Sequence, residues 1–182
     1  SIDKSKYKIL VTGGTGYIGS HTVVELQHSG FDVVIADNLS NSYAEVVDDI
    51  AKITGKKPAF EKIDLSDTDS CNFLFQKYPY IKAVIHFAAF KAVGESVANP
   101  LKYYHNNLFS LINLLKAMKD NVVNHFIFSS SWTVYGNPDC LTVDENMPVK
   151  PALSPYGNTK QIAAEILLDE VTADSALHVI AL

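Results

Sequence analysis

Short apolar runs recur along this chain, and between them the apolar positions spread out to helical spacing. YKILVT (7–12), DVVIAD (32–37), AVIHFAA (83–89) and NHFIFSS (124–130) are apolar without polar alternation and rich in β-branched or aromatic residues. That is the pattern of strands buried on both faces. PAFEKID (58–64) reads as a further strand, and LHVIAL ends the chain in another. Residues 17–29 predict a helix, apolar at Ile18, Val23 and Leu26 and closed by Gly30. Further helices are expected over about 42–54, near 67–77, over 101–119 and from about 156, with a loop rich in Pro and polar residues at 136–155. Strand and helix in steady alternation predict an α/β fold, a doubly wound parallel sheet with helices on both faces. Residues 1–182 read as one such domain, without internal repeats. The bare terminal strand predicts that these residues are the first part of a longer protein.

The first strand leads into VTGGTGYIGS, which places Gly13, Gly16 and Gly19 in a GxxGxxG pattern at a helix start. Alone, such glycines mean only a tight turn. After a strand and before a helix, they read as a dinucleotide-binding loop of the Rossmann type. Gly13 allows the turn, Gly16 lets backbone approach a pyrophosphate, and Gly19 lets the helix lie close on the strand. Asp37 ends the second strand, about 20 residues on, where a carboxylate can accept the two ribose hydroxyls. A 2′-phosphate would meet its charge, and no Arg stands beside it, so NAD is preferred over NADP.

Near the other end, SPYGNTK puts Tyr156 and Lys160 four residues apart, on one face of a helix. A free phenol, with a pKa of roughly 10, is a poor base at neutral pH. A neighbouring ammonium and a nicotinamide cation both favour the phenolate. Lowering its pKa by about three units takes about 4 kcal/mol of differential interaction. Such a phenolate can take a proton from a substrate hydroxyl while hydride leaves for NAD. Three hydroxyls, Ser129, Ser130 and Ser131, stand at the mouth of the fifth strand.

The stretches VTGGTGYIGSHTVVEL, ADNLSNS, VIHFAAFKAVGES, YYHNN, FSSSWTVYG and SPYGNTK, in this order, resemble the extended short-chain dehydrogenase/reductase family. Within it they look most like the branch of nucleotide-sugar 4-epimerases, and the similarity runs over essentially all 182 residues. The resemblance implies that Tyr17 and Ile18 touch the pyrophosphate, that Asp37 and Asn38 hold the adenosine ribose, and that Asp64 and Leu65 flank the adenine. Phe87, Ala88, Ala89 and Lys91 would line the cofactor's centre, with Asn106 near it and Ser129 close to the nicotinamide. Ser131 would hydrogen-bond the sugar 4-hydroxyl, Tyr156 would be the base, and Lys160 would hold the nicotinamide ribose. Lys91, Ser131, Thr133 and Tyr156 would border the sugar.

The implied reaction interconverts UDP-glucose and UDP-galactose, in galactose metabolism. C4 is oxidised, the ketosugar rotates, and hydride returns to the other face with NAD regenerated. A homodimer is implied too, through helices that include 101–119. The family's chain continues into a smaller nucleotide-sugar-binding domain, absent from these residues, so this chain alone is expected to be inactive. Two alternatives stand beside this reading. One is another NAD-dependent sugar-nucleotide enzyme, a decarboxylase or reductase; the other is a catalytically idle NAD-binding module.

Composition narrows the partners. The net charge of -5 argues against nucleic acid or an anionic membrane. There is no 18-residue apolar run and no secretion signal, and Cys71 and Cys140 stand in no metal-ligand spacing. A cytoplasmic protein without a metal is expected. His86 reads as a packed core imidazole, His21 as a helix-surface residue and Glu95 as a loop-orienting one. Two positions depart from the family pattern: Trp132, where a small residue is usual, and Ala89, where Gly is usual. Related 4,6-dehydratases carry an Asp-Glu pair at the positions of Trp132 and Thr133, so dehydration is disfavoured. Trp132 itself packs under the loop, narrows the sugar pocket, or displaces Ser131; the sequence leaves these three readings open.

Overall fold

The computed structural model describes residues 3–129 and 154–182. Ser131, Trp132, Thr133, Cys140 and nearly all of the 136–155 loop lie outside the described residues. Six strands form one sheet: β1 (Lys8–Thr12), β2 (Asp32–Asp37), β3 (Ala59–Lys62), β4 (Ile81–His86), β5 (His125–Phe128) and β6 (His178–Ala181). Their order is β3-β2-β1-β4-β5-β6, and every neighbouring pair is parallel. The chain therefore works outward from β1 to β3, crosses back to β4, and works outward in the other direction. The reversal between β1 and β4 opens a crevice beyond the carboxyl ends of these two strands.

The connections are α1 (Tyr17–His28), α2 (Glu45–Thr54), α3 (Thr68–Lys77), α4 (Val93–Ala98), α5 (Pro100–Asp120) and α6 (Pro155–Ala173). Successive strand residues feed opposite faces, which explains the unbroken apolar runs. Ile9, Val11, Val33 and Ile35 join Val23 of α1 and Val47 and Ile50 of α2 in one core. Leu10, Val34, Ala36, Val84 and Phe126 join Leu74 of α3, Leu111 and Leu114 of α5 and Leu167 of α6 in the other. The sheet is doubly wound, as the hydropathy pattern predicts.

Several boundaries differ from expectation, each for a local reason. β4 begins at Ile81 and stops at His86 rather than running over 83–89. Its continuation is diverted because Phe87 N donates to Thr12 O at 3.0 Å, and both Phe87 N and Ala88 N donate to Thr12 Oγ1 at 3.1 Å. β3 pairs only over Ala59–Lys62. α4 has no counterpart in the sequence reading: six residues give too few apolar positions to show a period. α6 opens with Ser154 as N-cap, its Oγ accepting from Gly157 N at 3.0 Å, and Pro155 follows in the first turn.

Candidate active site

The crevice holds a cleft of about 600 Å³. One wall is the turn from β1 into α1. Gly13 sits in left-handed backbone (φ +68°), and a Cβ there would stand 2.9 Å from the backbone N of Ala88. Gly14 faces the sheet, where a Cβ would overlap the Ile35 side chain at 2.8 Å. Gly19 corrects the sequence reading. Its Cβ would collide with the carbonyl of Gly13, so this glycine lets α1 close onto the turn itself, and Gly14 is the one that meets the strand layer. No side chain caps the N-terminus of α1. Its leading N–H groups and the helix dipole are left for an anion. Tyr17 and Ile18 project there, 82% and 54% exposed.

Asp37 ends β2 at the edge of the cleft and is 8% exposed. Its Oδ2 accepts from Thr15 Oγ1 at 2.6 Å, and its Oδ1 accepts from Leu39 N at 2.8 Å. Asn38, Asp64 and Leu65 line the same end of the cleft. Asp64 Oδ1 accepts from Ser66 N at 2.9 Å, and Asn113 Nδ2 donates to Leu65 O at 3.0 Å. Phe87, Ala88, Ala89 and Lys91, in the segment after β4, line the middle with Asn106 of α5. Asn106 Nδ2 donates to Asn107 Oδ1 at 3.0 Å, and that oxygen also accepts from Phe90 N at 2.9 Å. Burial pulls the Lys91 ammonium below the usual lysine range.

Glu95 and Tyr103, singled out weakly or not at all by the sequence, also line the cleft. Tyr103 Oη donates to Glu95 Oε2 at 2.9 Å and accepts from Ala92 N at 3.2 Å, while Lys102 Nζ donates to Glu95 Oε1. Glu95 thereby ties α4 to α5 and is held below the usual carboxylate range by Lys102 and then Tyr103. The signal that could have revealed this is the spacing of Glu95, Lys102 and Tyr103 on either side of the helix-starting Pro100.

Tyr156 and Lys160 occupy adjacent turns at the start of α6 and are not among the described residues lining the cleft. Tyr156 N donates to Ser96 Oγ at 3.1 Å, and its carbonyl accepts from Thr159 Oγ1 at 2.7 Å. Asn107 Nδ2 donates to Thr159 Oγ1 at 3.1 Å and to Phe90 O at 3.2 Å. The start of α6 is thus bonded to both α4 and α5. Lys160 Nζ donates to Ser129 O at 2.7 Å. Burial, and then the Lys91 charge, pull the Lys160 ammonium down to about 8, while burial raises the Tyr156 phenol. The protein by itself therefore favours the neutral phenol, because burial disfavours the charged phenolate. The expected preference for phenolate has to come from charge that arrives with a ligand.

Around this centre, His86 shares a 2.6 Å hydrogen bond with Thr12 Oγ1 and packs against Phe126. Burial, then Lys160 and Lys91, hold its imidazole neutral, down to about 3. His21 is exposed, its ring edge against Tyr17. Cys71 is buried and pushed up to about 12, an inert thiol. Among the described residues, no cluster of three His, Cys, Asp or Glu could hold a metal, and no helix is long and apolar enough to cross a membrane.

NAD fits this arrangement on the structure's own terms. An uncapped helix start suits a pyrophosphate, a buried carboxylate at a strand end suits a ribose diol, and the cleft lies within the roughly 300–1,000 Å³ of cofactor sites.

Comparison with known proteins bears on the same surface. The chain is 52% identical over 167 residues to UDP-glucose 4-epimerase of Bacillus subtilis, covering 92% of this chain and 49% of the relative. It is 44% identical over 181 residues to the human UDP-glucose 4-epimerase, covering 96% and 52%. The chain spans about half the length of the curated relatives it matches. Among solved structures, UDP-glucose 4-epimerase of Bifidobacterium longum in complex with NAD+ and UDP superposes with a TM-score of 0.85 at 43% identity, over 94% of this chain and 51% of that one. The Stenotrophomonas maltophila enzyme, solved with NAD and formylated UDP-arabinopyranose, gives 0.84 at 47%, over 95% and 51%. The protein-family model described as GDP-mannose 4,6 dehydratase matches residues 10–181. With nearly its whole length so matched, the chain belongs to this family of extended short-chain dehydrogenases/reductases.

Proposed function

We propose that this chain is the NAD-binding part of an enzyme that interconverts UDP-glucose and UDP-galactose, in the cytoplasm and in galactose metabolism. The observation that carries the reading is the cleft of about 600 Å³. It runs from the uncapped start of α1, past Asp37, to Lys91 and Glu95, on the side where the Tyr156–Lys160 helix is bonded in. The names of the relatives support it, as does the absence of a carboxylate pair at Trp132 and Thr133, which a dehydration needs.

When bound, NAD supplies a hydride acceptor and a positive ring charge. Gly13, Gly16, Tyr17, Ile18 and Gly19 hold the pyrophosphate; Asp37 and Asn38 hold the adenosine ribose, and Asp64 and Leu65 border the adenine. Phe87, Ala88, Ala89, Lys91, Asn106 and Ser129 keep water from the middle of the cleft and orient what lies there. Lys160 releases Ser129 O to hold the second ribose. Its ammonium, together with the positive ring, draws the Tyr156 phenol down from the raised value it has without them. Tyr156 then takes the proton of the sugar 4-hydroxyl, which Ser131 positions, with Lys91 and Thr133 beside the sugar. The enzyme works as a homodimer through α5, which leaves Leu101, Phe109 and Ile112 exposed.

The test is UDP-glucose formation from UDP-galactose by the full-length protein. Tyr156→Phe should cut turnover about 10²- to 10⁴-fold with NAD still bound. A full-length protein that binds NAD and converts no UDP-galactose, as found and as Trp132→Ala, would refute the assignment.

A further inference from the structure

Asp37 does not stand alone at the end of β2. Its two oxygens are fixed by two different segments. Oδ2 accepts from Thr15 Oγ1 at 2.6 Å, and Oδ1 accepts from Leu39 N at 2.8 Å. Leu39 makes that bond from left-handed backbone, φ +60°, a conformation that Leu seldom adopts and that marks a turn held by its surroundings. Thr15 is 3% exposed, and its hydroxyl also lies 2.6 Å from Ser42 Oγ. A carboxylate only accepts, so the Thr15 proton points to Asp37 and the Ser42 hydroxyl donates to Thr15. The result is a directed chain, Ser42 to Thr15 to Asp37, in which each bond polarises the next. It joins the phosphate loop, the end of β2 and the 38–44 turn.

We infer that Thr15 is a specificity-determining positioning residue: its buried hydroxyl locks the Asp37 carboxylate in the plane that accepts a ribose diol and rejects a 2′-phosphate. The inference rests on the dinucleotide reading of the cleft. Thr15 N also donates to Oδ2, at a long 3.4 Å, so three bonds hold the carboxylate and its remaining acceptor directions are aimed rather than free to turn. A diol then finds two acceptors in place without ordering cost. A phosphate meets a negative charge that cannot rotate away. Nothing in the glycine pattern requires a hydroxyl at position 15, so the glycine loop and the selectivity are separable.

The test measures the affinity of this chain for NAD+ and NADP+, each by titration calorimetry, in the wild type and in Thr15→Val, Thr15→Ser and Ser42→Ala. Thr15→Val keeps the shape and removes the short hydroxyl bond to Oδ2, leaving only the 3.4 Å one from the backbone N. It should weaken NAD+ about tenfold while leaving NADP+ unchanged or tighter, so that the ratio of the two affinities falls at least tenfold. Thr15→Ser should restore the wild-type ratio. Ser42→Ala, at a half-buried position in the 38–44 turn, should shift the ratio in the same direction by a smaller factor. Equal weakening of both cofactors by Thr15→Val would mean a merely structural role for the loop and would overturn the inference. So would an unchanged ratio in Thr15→Val, or in Ser42→Ala should Thr15→Val not fold. A wild-type chain that binds neither cofactor would overturn the cofactor reading itself, and the inference with it.

Discussion

Gly19 and Lys160 show how much single residues carry here. A methyl group at Gly19 would occupy the space of the Gly13 carbonyl, so Gly19→Ala has to push α1 away from the turn. A backbone clash of this kind costs about 2 kcal/mol, and at a binding loop that is more than tenfold in affinity. NAD titration of the variant should show this together with a lowered melting temperature. Lys160 is costly for the opposite reason. Its ammonium is desolvated, and its pKa falls from 10.5 unfolded to about 8 folded. Between those values the unfolded chain binds more protons than the folded one, so this group's contribution to stability rises with pH through that window. Below about 8 the desolvation cost is fully present. Lys160→Met should therefore be stabilised relative to wild type most at pH 7 and progressively less toward pH 10. Urea unfolding at several pH values would read the trend, and a pH-independent difference would show that Lys160 is not desolvated.

At the scale of elements, α6 is positioned by polar bonds as much as by its apolar face. Ser96, Asn107 and Thr159 are 0%, 7% and 2% exposed and connect α4, α5 and α6. Asn107 also satisfies both backbone groups of Phe90. Asn107→Ala removes the partner of those groups in a half-buried site and should cost about 1 kcal/mol in chemical denaturation. Hydrogen exchange should quicken around Phe90 and at the start of α6, but not in β1 or β2. None of this network was legible in the sequence. Asn107 looks like any helical polar residue until α6, 52 positions further on, is folded against it. Glu95 was read only as a loop-orienting residue, without its partners Lys102 and Tyr103. The strands and the long helices, in contrast, were readable to within a few residues, because burial on both faces demands unbroken apolar runs.

For the whole molecule, one sheet with its reversal between β1 and β4 brings a loop at residue 13, a carboxylate at residue 37 and a lysine at residue 91 to one cleft. The outer surface of α5 is a separate matter. Leu101, Phe109 and Ile112 lie on it exposed, with His105 stacked on Phe109 at 4.7 Å. If this face joins two copies, Phe109→Glu should convert dimer to monomer in sedimentation velocity while leaving NAD binding unchanged. A wild-type protein that sediments as a monomer at all concentrations would rule the dimer out.

The amino-acid sequence alone determined the α/β alternation, the buried strands, the glycine turn and the presence of a carboxylate at the end of β2. Those features depend on local spacing and on whether a residue is apolar, and both are written along the chain. The tertiary structure decided what each group touches. It turned Gly19 onto the turn rather than the strand, gave both oxygens of Asp37 to Thr15 and Leu39, and pointed Lys160 at Ser129 O while burial raised the Tyr156 phenol. Hydrogen-bond direction and desolvation depend on neighbours tens of residues away, and only the folded chain brings those neighbours within reach.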